Sequence, residues 1–133
     1  MKTKYALTAD DAKKIAAAAE QHALANNWAV VIAVVDDGGH LLHLHRMDGV
    51  APISAEIAFG KGRTAALGRR ESRLYEESIK AGRVAFLSVP LTGMLEGGVP
   101  VVYEGEVVGA VGVSGVKSEQ DAEIAKTGIA AVV

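Results

Sequence analysis

Two segments of this chain each carry a pair of β-type apolar runs joined by a short polar turn. The first is Val34-Val-Asp-Asp-Gly-Gly-His-Leu-Leu-His-Leu-His-Arg-Met-Asp-Gly49, with its turn at Asp36-Asp-Gly-Gly39. The second is Gly97-Gly-Val-Pro-Val-Val-Tyr-Glu-Gly-Glu-Val-Val-Gly-Ala-Val-Gly-Val-Ser-Gly115, with its turn at Glu104-Gly105. Turn residues set between apolar runs are the strongest short-range hairpin signal a sequence offers. Two hairpins alternating with helical stretches leave few architectures open.

The helical stretches fall before, between and after the hairpins. Thr8 followed by Asp11 predicts a capped helix start, and the Ala-rich pattern that follows runs to about Asn27, with Ile15, Ala19, His22 and Ala23 on one stripe. Trp28 to Val35 is a nearly unbroken apolar run, the pattern of a central strand covered on both faces. Pro52 predicts a second helix to about Arg69, with Ile53, Ile57, Thr64 and Leu67 along one side. Glu71 to Ala81 reads as a short helix and Ser88 to Gly98 as an extended loop. Ser118, with Asp121 three residues on, predicts a capping box opening the last helix. The order α-ββ-α-ββ-α over residues 1–133, with no repeat or linker, predicts one α+β domain: a mainly antiparallel sheet with helices packed on it.

Composition narrows the function classes. The chain has 133 residues, half of them hydrophobic but few aromatic, so apolar surface is left over for a partner subunit. A formal net charge of −2 gives no footprint for nucleic acid. No cysteine is present, which excludes disulfides, thiol catalysis and Cys-ligated metals. No apolar stretch approaches a membrane span, and Met-Lys-Thr-Lys opens directly into helix pattern, so a cytoplasmic protein away from membranes is expected.

Arg46-Met-Asp-Gly-Val-Ala-Pro-Ile-Ser54, Ala58-Phe-Gly-Lys61 with Thr64-Ala65, Gly97-Gly-Val-Pro, Gly105 to Gly115 and Gln120-Asp121 together resemble the GlcG/HbpS-like family. That family includes haem-binding extracellular sensors and the C-terminal domain of PduO-type corrinoid adenosyltransferases. Its small stand-alone members lie beside genes for glycolate, propanediol or glycerol use. The resemblance spans nearly the whole chain. It implies a profilin-like α+β fold with about five strands, homo-oligomers from dimer up to octamer, and haem or corrinoid contact in some members.

Several residues are candidates for chemistry. His22 lies on or beside the apolar stripe of the first helix, where an imidazole ligates haem iron or serves as a hydrogen-bonded core residue. His43 and His45 share one strand face about 7 Å apart, a spacing that fits one metal ion or the polar outer face of an edge hairpin. The family pattern has no such pair. Arg46, beside the Asp48-Gly49 turn, either ties that turn together or holds a carboxylate such as a haem propionate or a small hydroxy acid. Lys61 falls on the face of Ser54, too far along the helix for a nucleophile–base pair, yet placed to meet an anion. Ser114, Gly115, Lys117 and Ser118 join a strand to a helix start and form the best anion site in the sequence.

Three functions follow. The first is an accessory protein whose pocket, formed by Arg46, Lys61 and the Ser114–Ser118 turn, holds a carboxylate-bearing tetrapyrrole, haem or corrinoid. The second is a small metabolic enzyme acting on a C2–C3 hydroxy acid, against which stands the lack of a nucleophile–base pair, a complete metal set or a nucleotide fingerprint. The third is an oligomeric scaffold without a ligand.

Overall fold

Local turn chemistry sets both hairpins. A computed structural model describes all of residues 1–133. In it β1 (Val31–Asp36) and β2 (Leu41–Arg46) flank the Asp-Gly turn, where Asp36 accepts backbone N–H groups from Gly38 and His40. β3 (Gly98–Tyr103) and β4 (Glu106–Ser114) flank Glu104 and Gly105, whose φ angles of 52° and 77° are both positive. Positive φ at both central residues matches the right-handed twist of a tight hairpin.

The hairpins join through their inner strands into one antiparallel sheet of order β2-β1-β4-β3, with Val31 opposite Ser114 and Asp36 opposite Gly109. It holds four strands, against about five expected. Helices cover both faces. On one side lie α1 (Ala9–Ala25) and α4 (Ser118–Ile129), on the other α2 (Ile53–Gly68); α3 (Arg73–Lys80) and a 3₁₀ turn, Val84–Ser88, lie in the connection to β3. β1 is therefore fully buried from Val31 to Val35, as its unbroken apolar run predicts. Thr8 caps α1 in the expected way, taking the Asp11 N–H while the Asp11 carboxylate takes its own.

Alternation divides the core. Val30, Ile32, Val34, Val111 and Val113 face α1 and α4, meeting Ala12, Ile15, Ala19 and Ile124. Val31 and Ala33 face Ala58 of α2, and Val35 and Ala110 face Ala65 and Ala66. Burial at about 25 cal/mol per Å² of apolar surface makes this two-sided core the main source of stability.

The expected apolar stripe of α2 is corrected here. Thr64 is buried, but Ile53 and Leu67 are 56% and 43% exposed. The inward face is built of Ser54, Ala58, Gly60, Lys61, Gly62, Thr64, Ala65 and Ala66. The reason is distance: a Cβ at Gly62 would sit 3.3 Å from the Gly112 nitrogen, so helix and sheet meet backbone to backbone. Large aliphatic side chains do not fit in that gap and turn outward.

Candidate functional site

Lys61 is the most constrained polar residue of the chain. Its side chain passes Gly97, where a Cβ would lie 2.8 Å from its Nζ, and its backbone carbonyl packs against Gly98. The ammonium donates to the Val113 carbonyl and to Asp121 of α4, each at 3.0 Å, and both charged side chains are only 3% exposed. Asp121 also accepts the Val116 N–H at 3.2 Å. Burial pushes the Asp121 carboxyl above its ordinary range; the Lys61 charge and these hydrogen bonds hold it back. The pair thus ties α2 to α4, helices on opposite faces of the sheet.

That arrangement corrects the expected helix start. Lys117, not Ser118, is the N-cap of α4, and its N–H donates to the Gln120 side chain at 3.2 Å. Asp121 faces inward because the buried Lys61 charge needs a carboxylate. Ser114 is buried at the end of β4, Gly115 turns with φ 147° against the Ala29 carbonyl, and Lys117 is exposed. The Val116 and Lys117 N–H groups of this turn are engaged by Asp121 and Gln120 of the same chain. Lys61 and the turn from Ser114 to Ser118 are therefore neighbours, joined by Asp121.

Arg46 lies elsewhere, so the expected single pocket of Arg46, Lys61 and the Ser114–Ser118 turn does not form. A cleft of about 290 Å³ between α1 and the end of β2 is lined by Glu20, Leu24, His45, Arg46, Met47 and Asp48. The Arg46 and Asp48 side chains are exposed, and the guanidinium has no ionic or hydrogen-bonding partner in the chain. His45 Nε2 contacts the Glu20 carboxylate. His43 and His45 do share one strand face, opposite Val34 and Ile32 of β1. No group of three or more His, Cys, Asp or Glu side chains in one chain is arranged to hold a metal ion.

His22 occupies the opposite flank of α1. Its Nε2 lies 2.7 Å from Glu123 of α4, and its ring stands edge-on to Trp28 at 6.0 Å between centroids. It borders an open cleft of about 570 Å³ with Ala17, Ala18, Gln21 and Thr127. The structure therefore distributes the candidates over three places: the Lys61 strut, the Arg46 cleft and the His22 cleft. Sequence reasoning missed the carboxylates that partner them, Asp121, Glu123 and Glu20. Each lies on another element from its partner, and no local spacing marks it.

Comparison with known proteins gives consistent relatives. Residues 7–130 match the sequence model of the family described as "Haem degrading protein HbpS-like". The protein GlcG of Escherichia coli strain K12 is 59% identical over 114 residues, covering 86% of this chain and 85% of that protein. Among solved structures, a double mutant of HbpS from Streptomyces reticuli superposes with a TM-score of 0.89 at 31% identity, covering 100% of this chain and 91% of the other. The crystal structure of a PduOC:heme complex superposes with a TM-score of 0.86 at 28% identity over 96% of both chains.

Proposed function

We propose that this chain, which belongs to the HbpS-like family, is a haem-binding accessory protein with His22 as its iron ligand. The observation that carries the reading is the His22–Glu123 pair. A carboxylate holding one ring nitrogen fixes the imidazole's orientation and leaves the other nitrogen's lone pair for a metal. The small side chains of Ala17 and Ala18 beside it leave room for a flat macrocycle against α1. The residues present therefore fit the group. Bound haem would supply an iron centre; the chain's part is to present the imidazole and orient it through Glu123, with the Trp28 ring standing edge-on beside it. The PduOC:heme complex, similar over nearly its whole length, supports haem as the ligand class. A link to glycolate, propanediol or glycerol use is part of the proposal and rests on the family resemblance.

The test is a haemin titration of metal-free protein followed at the Soret band. A saturable shift with one haemin per chain, lost in His22→Ala and weakened in Glu123→Gln, is the expected result. A shift that survives His22→Ala moves the ligand elsewhere. No specific shift for haemin, but one for a corrinoid, exchanges the tetrapyrrole; no shift for either ends the reading.

A second reading has one observation in its favour. The unpartnered Arg46 guanidinium at the α1–β2 cleft suits a small carboxylate such as a hydroxy acid. Arg46→Ala then abolishes glycolate or lactate binding in calorimetry while the melting temperature moves by less than about 2 °C, as for other exposed substitutions. Self-association belongs to the proposal as well, supported by Leu41, Leu44, Ile53 and Leu67 standing exposed around α2 and β2.

A further inference from the structure

The two edges of the sheet are built differently. On β3 the Val113 N–H bonds the Gly97 carbonyl, so Val99 and Val101 direct their backbone groups at β4 while Gly98 and Pro100 face outward. Pro100 thus removes an N–H from the outward row, a common way of blunting an edge. On β2 the Met47 N–H bonds the Val30 carbonyl, so His45 and His43 direct their backbone groups at β1. The groups of Leu44 and Arg46 point away. β2 contains no proline and no lysine, and its outward row is open.

An open edge of this kind is completed by another strand. A second copy placed antiparallel about a two-fold axis at Leu44 makes Leu44 and its mate a hydrogen-bonded pair. His43 then stands directly opposite its partner's His45, and His45 opposite its partner's His43. Cβ atoms in such pairs lie about 5 Å apart across the strands and about 7 Å apart along them. The centre of that rectangle is about 4 Å from every Cβ, within reach of four imidazoles and metal–nitrogen bonds of about 2 Å. On the opposite face, Leu44, 37% exposed, borders a cleft of about 410 Å³ with Ala55, Phe59 and Arg63, and the paired copy covers it.

We infer that β2 pairs with β2 of a second copy, and that His43 and His45 of both copies together bind one divalent transition-metal ion of the zinc, nickel or copper type. Imidazole is the ligand these ions prefer. Each chain supplies half a site, in keeping with the absence of a three-ligand cluster in one chain. Glu20, in contact with His45, orients that ring from α1. The inference does not depend on haem binding, which uses the other flank of α1.

Two measurements on EDTA-stripped protein decide it. Equilibrium dialysis against zinc chloride is expected to give one zinc per two chains, abolished in the His43→Ala/His45→Ala double variant. The chain has no cysteine, so Leu44→Cys reports the dyad directly. Its inter-chain disulfide is expected to form faster with zinc, and this acceleration is expected to vanish when His43 and His45 are also replaced. One zinc per chain, no zinc at all, or a cross-linking rate that ignores zinc or the histidines overturns the inference.

Discussion

Replacing Asp121 with alanine leaves the Lys61 ammonium in a site that is 3% exposed, with only the Val113 carbonyl as a partner. Breaking a buried ion pair by removing one member costs about 3–5 kcal/mol, because the remaining charge stays desolvated. For a chain of this length that lowers the melting temperature by roughly 10 °C or more. Asp121→Asn keeps an acceptor for the Val116 N–H, and still costs most of this amount, since the charge is what Lys61 lacks. Combining Lys61→Met with Asp121→Ala removes both charges. The double variant then carries chiefly the loss of the Val116 acceptor, about 1–3 kcal/mol. It is therefore more stable than Asp121→Ala alone, a strongly non-additive cycle. Urea unfolding of the wild type, Lys61→Met, Asp121→Ala and the double variant measures it. Single variants that each cost under about 1 kcal/mol, or costs that simply add, refute the reasoning.

Other substitutions probe the backbone and the turns. Gly112→Ala places a methyl group against the Ala58 carbonyl, and overpacking of this kind costs about 1–3 kcal/mol or more; urea unfolding reports it. Glu104 holds φ 52° in the β3–β4 turn, so Glu104→Asn, a residue that tolerates this region, is expected to stabilise by about 0.5 kcal/mol in the same assay. At Asp36 burial alone raises the carboxyl, but the N–H groups of His40 and Gly38 and the His40 charge outweigh it, and the folded value lies below the ordinary 3.8. The stability Asp36 adds is therefore complete above that value and lost as pH falls from it through the lower folded value. Asp36→Asn flattens this part of the acid limb in melting temperature against pH.

What was legible in the sequence is what neighbouring residues decide. Both hairpins, the Thr8–Asp11 cap and the buried run of β1 follow from residues within a few positions of one another. The stripe expected on α2 rests on large aliphatic side chains, whereas the sheet lies so close that only Ala, Gly, Ser and Thr fit beside Lys61. Asp121 reads as a cap because its partner is sixty residues away, and nothing near it announces a buried ammonium. The candidate residues were found singly, but their grouping into three places depends on how α1 separates β2 from α4.

The β1–β4 seam carries a kinetic consequence. Each hairpin closes locally, an event of about 1–10 μs, whereas the seam pairs Val31 with Ser114 and must wait for two segments distant in sequence to meet. Non-local pairing of this kind slows the search, so closure of the seam sets the folding rate of the whole domain. Gly112, lying in that seam against α2, is therefore expected to take part in the folding nucleus. Its replacement by alanine slows refolding more than it speeds unfolding, and stopped-flow chevrons resolve the two limbs.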